Sequence, residues 1–384
     1  MKIRIINIVV GLMVLYAPLS NAEIDISGYA SFKAITNIND QGVSYYNGLA
    51  SANETNYDSR ESNIGIQFTT DISSKMDMTV VMSARGGPAQ KYNFETEWAY
   101  ANYKFNDDLS LRIGKVKGPF YMVSDYKDVG YAYPWASVPE EVYSTNPIRS
   151  VNGLDLVFQK TVNDVSYLGE LYYGSGTNTA FVLPTALSAL NGSAQFCNAT
   201  AKAAAGGACF TSTTQVPFKT HNMFGFNASA SWEGISVRAG YFKTLVDAFG
   251  GKNYVGEFGG FGLTVDKNNF VVYAEAIIRD TGPELEAAFP DVNASYITAG
   301  YRIGDYLPYV TVASIGKGKD ASNYAPKQTS TAFGMRYELD EAASLKVEAA
   351  NKKPGTYGGD AGGLFDSAIT KNVTIVTVAL DVLF

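Results

Sequence analysis

The sequence predicts an all-β chain, a transmembrane antiparallel β-barrel, most simply of sixteen strands. Three observations predict it. Apolar residues recur at every second position along the whole chain, the connections alternate between tight turns and long loops, and the last stretch, Asn372 to Phe384, ends on an aromatic terminus. Counting back from Phe384 by twos gives Val382, Leu380, Val378 and Val376, one unbroken apolar face, whereas Leu383, Asp381, Ala379, Thr377 and Ile375 are mixed. Period two with β-branched residues specifies a strand rather than a helix. An apolar strand that ends a chain exposes an edge. That edge is safe if the strand pairs with the first one and closes a barrel whose outer face sits in lipid. The alternative is an ordinary sandwich strand.

The chain opens with Lys2 and Arg4, an apolar run from Ile5 to Leu19, and the small residues Ser20-Asn21-Ala22. This is the pattern of a signal peptide over 1–22, cut after Ala22, with an N-terminal membrane helix as the alternative. Residues 23–384 then form one domain, with no linker and no other run long enough for a membrane helix. Charged residues are 17%, below the roughly 25% of soluble domains, while aromatics reach 13%. Low charge and many aromatics without apolar runs fit a barrel, where apolar residues occupy one position in two. The net charge of -7 argues against nucleic acid as a partner.

After the cut, Ile24, Ile26, Gly28, Ala30 and Phe32 share one face and Asp25, Ser27, Tyr29, Ser31 and Lys33 the other, which makes this the partner of the last strand. Further strands are expected near 63–69, 78–85, 97–105, 109–116, 153–160, 165–173, 222–232, 235–243, 256–265, 270–279, 295–303, 307–314, 330–339 and 344–351. Tight turns fall at Asn106-Asp107-Asp108, Asn163-Asp164, Glu233-Gly234, Lys267-Asn268, Gly304-Asp305 and Asp340-Glu341. Longer loops fall at 37–59, 86–96, 118–152, 174–220, 244–254, 280–293, 315–328 and 353–370. Short turns at one end and long loops at the other place the former in the periplasm and the latter outside.

In these features the mature chain resembles the Gram-negative outer-membrane porin family. The resemblance rests on the signal peptide, sixteen alternating strands, a long insertion after the fifth strand and the terminal Phe384. One local stretch is more specific: LRIGKVKGPF, Leu111 to Phe120, is similar to a segment of the phosphate-selective and related substrate-biased porins. The following DYKDVGYAYPWASVPEEVYS departs from the short acidic constriction loop of general diffusion porins. The resemblance implies that 118–152 folds inward as a constriction loop and that three barrels pack as a homotrimer. It also implies that Phe384 acts as an assembly signal for the barrel assembly machinery, and that small hydrophilic solutes and ions diffuse through the lumen. Outer-membrane lipid and lipopolysaccharide are the expected surroundings, with no cofactor and no metal.

Alternation places Arg85, Arg112, Arg238, Arg279, Arg302, Arg336 and Lys346 on inward faces, because a lipid-facing charge costs roughly 2–4 kcal/mol at the midplane. The loop supplies Asp125, Asp128, Glu140 and Glu141. Turned inward, these acids face the basic wall across a gap and set a transverse field. Alternatively the bases pair with Glu275, Glu338 or Glu348 and brace the wall, or the loop acids are solvated outside. Phe120, Tyr121, Tyr126, Tyr131, Tyr133, Trp135 and Tyr143 make the loop aromatic, either to stack on passing sugar or aromatic solutes or to pin it. Tyr100, Tyr173, Trp232 and Tyr241 fit interfacial girdles. Cys197 and Cys209 lie in one Gly/Ala-rich external stretch, as a disulfide or as two thiols. An enzyme is disfavoured: His221 is the one histidine, set in a loop, and no HExxH or GxSxG motif occurs. A structural or adhesive barrel with a blocked lumen is the other rival.

Overall fold

The computed structural model describes residues 23–38, 42–46, 52–87, 91–182, 214–286, 288–321, 325–355, 363–365, 369 and 371–384. The strands are β1 (Ile24–Ile38), β2 (Asn63–Ser73), β3 (Met76–Arg85), β4 (Phe94–Lys104), β5 (Leu109–Lys117), β6 (Ser150–Val162), β7 (Val165–Val182) and β8 (Thr214–Trp232). They continue as β9 (Ile235–Ala248), β10 (Gly251–Lys267), β11 (Phe270–Thr281), β12 (Val292–Tyr301), β13 (Tyr306–Lys317), β14 (Gln328–Asp340), β15 (Ala343–Pro354) and β16 (Val373–Leu383). Each pairs antiparallel with its neighbours in sequence, and β16 returns to β1, from Tyr29 opposite Leu383 to Ile38 opposite Thr374. The predicted closed barrel of sixteen strands is therefore the observed one. A two-residue strand, Thr55–Asn56, pairs with Ile35 and Thr36 of β1 outside the ring.

The seam has its own chemistry. Gly28 N–H donates to the Phe384 carbonyl at 2.6 Å, and Phe384 N–H donates back to the Gly28 carbonyl at 3.0 Å. The Phe384 ring lies over Gly28, where any Cβ would collide with it. Gly28→Leu is expected to cost about 1–3 kcal/mol by overpacking the seam, read as a lower unfolding midpoint in detergent. Gly169→Ala, with open space around the added carbon, is the control that should stay close to wild type.

Alternation sorts the side chains. On β12 every second residue from Val292 to Thr298 is buried and those between are exposed. Outward positions include Phe32, Ile113, Leu171, Ile278, Ile297, Val312 and Phe333, the last 67% exposed. A continuous apolar belt of this kind exceeds what soluble monomers display and is a lipid-facing surface. At the short-turn end it is edged by aromatics: Tyr103 against Phe105, Phe270 against Tyr301, Tyr306 stacked on Tyr337, and Trp232. Trp232 sits where the sequence predicts a girdle. Tyr173 and Tyr241 lie on the outward face nearer the long loops, but Tyr100 turns inward, with the Arg112 guanidinium 5.4 Å from its ring.

The strands outrun the sequence estimate at the long-loop end. β7 reaches Val182 and β8 starts at Thr214, so both ends of the expected loop over 174–220 are strand-paired, and its remainder, 183–213, lies outside the described residues. The expected loop over 244–254 is a hairpin closed by Phe249 and Gly250, both at positive φ, as a two-residue hairpin turn requires. Above the belt both faces of a strand meet water, so the apolar alternation fades while backbone pairing continues. The turn expected at Lys267-Asn268 sits one residue later, at Asn268-Asn269 with φ of 52° and 68°. His221, expected in a loop, is on β8. Cys197 and Cys209 lie outside the described residues.

Candidate functional site

β5 ends at Lys117 and β6 begins at Ser150, so the insertion expected over 118–152 spans 118–149. It holds two short 3-10 turns, Ser124–Tyr126 and Gly130–Ala132, and one helical turn, α1 (Glu140–Tyr143). Its contacts run around the ring. Phe120 meets Phe242 of β9 at 4.7 Å and Tyr121 meets Phe258 of β10 at 5.3 Å. The Tyr143 hydroxyl donates to Glu275 of β11 at 2.8 Å, and the Trp135 indole donates to Thr298 of β12 at 2.7 Å. Ala136 N–H donates to the Tyr309 hydroxyl of β13 at 3.1 Å, and Arg336 of β14 donates to the Tyr133 carbonyl at 3.1 Å. Lys346 of β15 donates to the Gly130 carbonyl at 2.6 Å, beside Asp381 of β16 and Ser31 of β1. A single segment that meets nine consecutive strands of a closed ring lies inside the ring. The Tyr131 hydroxyl reaches the Glu341 carbonyl in a short turn, so the segment descends to the far rim.

Wall cations hold the loop by its backbone. Lys346 is 0% exposed and donates to three loop carbonyls, of Gly130, Tyr133 and Trp135, while pairing with Asp381 at 2.9 Å. Arg238 donates to the carbonyls of Pro119 and Phe120, and Arg279 donates to the Thr145 carbonyl at 2.7 Å. A chain that turns into a lumen leaves its carbonyls without strand partners. Buried cations need acceptors, so each satisfies the other. Arg336 also pairs with Glu338 at 2.7 Å, Arg85 with Glu97 at 2.6 Å, and Arg112 with Asp155 at 3.3 Å and Glu170 at 3.6 Å. Arg302 lies beyond the end of β12, exposed at the short-turn rim and paired with Asp266. It is therefore not part of the lumen wall around the loop.

The loop acids do not face the bases across an open gap; most of them touch cations directly. Asp128 bridges Arg85 and Lys117, each at 3.1 Å. Burial opposes its charge, yet Arg85 and Lys117 hold its carboxyl well below the usual carboxylate range. Glu140 and Glu141 both meet Lys352 of β15, at 3.4 and 3.2 Å. Burial pushes the Glu140 carboxyl up to about 8, whereas Lys352 and Gln328 hold Glu141 low despite its burial. The pair thus carries about one negative charge against one lysine near neutral pH. Asp125 is the loop acid that stays exposed in the lumen.

The loop aromatics pack. Trp135 is 1% exposed and contacts Tyr273, Tyr296 and Tyr133 with centroids 5.0 to 5.5 Å apart; Phe120, Tyr121, Tyr133 and Tyr143 are buried as well. Arg336 stacks over Tyr131, and Tyr126 is half-buried. Gly130 is required where it stands, since a Cβ there would meet Asp381 and Ser31. Gly130→Val is expected to push the loop off the wall at a cost of about 1–3 kcal/mol, seen as faster protease nicking within 118–149 while the barrel stays intact.

Several members of the site are not among the residues singled out in the sequence. A bulge between β3 and β4 makes Glu97 an extra residue, so Glu97 and Trp98 both point inward, to Arg85 and Lys117 respectively. Lys33 pairs with Glu61 at 3.0 Å, and Arg149 reaches Glu97 at 3.7 Å. Lys352 shares the inward parity of Lys346 and Glu348 and is found by extending β15 past residue 351.

The loop crowds the wall from β9 round to β1. The wall is less covered around Arg112 of β5, which keeps 34% of its side chain exposed. Toward the long loops lies a cavity of about 530 Å³, bounded by Arg85, Lys117, Lys127, Asp128, Asn146 and Arg149 among others.

No family model and no curated protein matches the sequence. Solved structures do match in shape. The outer membrane channel DcaP of Acinetobacter baumannii has a TM-score of 0.58 at 9% identity, covering 96% of this chain and 99% of that one. An anion-selective porin from Comamonas acidovorans has a TM-score of 0.56 at 12% identity, covering 95% and 100%. The trimer form of OmpT, an outer membrane protein of Vibrio cholerae, has a TM-score of 0.56 at 9% identity, again covering 95% and 100%. The fold is that of the outer-membrane porins. Identities of 9–12% carry the fold alone, and the Lys346 and Lys352 clamps described above are read from this chain.

Proposed function

We propose that the protein is an outer-membrane porin, a water-filled channel through which small hydrophilic solutes and ions diffuse passively. The observations that support this are a closed ring of sixteen strands, a cavity of about 530 Å³ lined by charged side chains toward the long loops, and the part-exposed Arg112 further along the wall. Sixteen strands suffice to enclose an aqueous path. On this reading residues 1–22 are a secretion signal, the short turns face the periplasm, and the long loops face outward. Phe384 is the residue the barrel assembly machinery engages, and three copies associate as the OmpT trimer form does.

Purified protein in planar bilayers is expected to open in discrete conductance steps, and silence would favour a blocked structural barrel. A protease or lipase role would use His221, whose Nε2 is 2.9 Å from Asn253 Oδ1 on the barrel surface near the long-loop end. His221→Ala should leave solute flux unchanged; a lost activity would reopen the enzyme reading.

A further inference from the structure

The 530 Å³ cavity above the loop is lined by eight basic and five acidic side chains. The acids are largely committed: Glu61 to Lys33, Glu97 to Arg85, and Asp128 to Arg85 and Lys117. Among the described residues Arg149, 54% exposed, pairs with Glu97 at 3.7 Å, and Arg85 already holds that carboxylate at 2.6 Å. Positive charge is crowded here. The Arg85 charge lowers the proton affinity of Arg149, and burial and Arg149 together bring Lys127 down to about 8.

A second, independent observation is the set of buried polar atoms without a partner among the described residues. Three of these atoms are donors on residues that line this cavity: Arg85 Nε, Asn146 Nδ2 and Asn178 Nδ2. The orientation of Asn146 is fixed, because its Oδ1 accepts from Ile148 N–H at 3.0 Å, so the free group is a donor. Two cavity-lining acceptors are also unpartnered, Asn63 Oδ1 and Glu140 Oε1. Burial keeps the Glu140 carboxyl largely protonated near neutral pH, so one of its oxygens can donate. A buried donor without a partner costs about 1–3 kcal/mol. Excess cations and idle donors in one chamber select for a ligand that is negative and rich in acceptors. A neutral sugar would bring a donor with every hydroxyl and no charge to meet the cations.

We infer that this outer chamber is a binding site for small oxyanions, carboxylates or phosphates, held between Arg149 and the Arg85–Asn146 donors before passage alongside the loop. The inference rests on the porin reading and names its solute class. Arg112, Asp155 and Glu170, further toward the short turns, form a more acidic stretch of wall, so the site is confined to the outer side.

The test uses the full-length mature protein in planar bilayers under a KCl gradient, with inorganic phosphate or succinate added on the side of the long loops. The reversal potential should show anion preference, and either probe should block chloride current at millimolar concentration. Arg149→Gln should weaken that block at least tenfold, while Arg302→Gln, which removes a charge at the opposite rim, should leave it unchanged. Block by phosphate alone or by succinate alone tells which oxyanion the chamber prefers; both outcomes support the site. Discrete steps with cation preference and no block by either probe overturn the inference and leave the porin reading standing. If no steps occur, calorimetric titration of phosphate and succinate into the detergent-solubilised protein decides. Heat that is lost in Arg149→Gln upholds the site and rejects the channel, and no heat rejects both.

Discussion

Lys346→Met is expected to release the inserted loop. The wild-type ammonium satisfies three loop carbonyls and the Asp381 carboxylate at a fully buried position. Methionine keeps the volume and removes every donor, which leaves a buried carboxylate short of its partner. Breaking a buried pair in this way costs about 3–5 kcal/mol. The cost falls on loop seating rather than on strand pairing, since the β15–β16 backbone ladder is untouched. Two readouts follow: noisier and larger conductance steps, and protease access to 118–149. Quiet steps of wild-type size would show that the lysine is not the clamp.

Excision of residues 120–146, bridged by a short Gly-Ser link, is expected to have the largest effect on conductance, a several-fold increase. A sixteen-stranded ring leaves an aqueous channel when nothing fills it, and here one loop fills the side from β9 to β1. The barrel itself should survive the excision. With the loop gone, Lys346, Lys352 and Arg238 face water, where cations are solvated and no longer need carbonyl partners. The point variant and the excision therefore differ in kind: the first strands charge in a dry contact, and the second floods the contact. An unchanged step size after excision would mean that the conducting path runs elsewhere.

The ring was legible in the sequence because one physical rule operates on every strand. Lipid outside and polar contacts inside force a period of two, and β12 and β15 show it residue by residue. The rule stops where the lipid stops, which is why β7, β8 and the β9–β10 hairpin run on past their expected ends. It also fails where the pleat is broken, as at Glu97 and Trp98. The site was legible in its cast but not in its pairing. Arg238, Arg279, Arg336 and Lys346 carry the inward parity expected of them, yet their partners are loop carbonyls, and a carbonyl has no sequence signature. Likewise Glu140 and Glu141 look alike in sequence, and only their placement against Lys352 and Gln328 separates their protonation. The loop aromatics resolve into packing because the wall offers Tyr273, Tyr296 and Phe258 at matching heights, residues about 140 to 160 positions away in sequence.

The account turns on the inserted loop lying against the inner wall, and one cross-link tests that placement. A Cβ at Gly262 of β10 would lie 3.2 Å from the Met122 Cβ in the loop, close to the roughly 3.5–4.5 Å that a disulfide spans. Gly262→Cys with Met122→Cys, in a Cys197→Ser, Cys209→Ser background, is expected to form that bond under mild oxidant in the folded barrel. The product would resist maleimide and lower the conductance noise. Two thiols that stay free and label fully in the folded protein would place the loop outside the lumen and contradict the account.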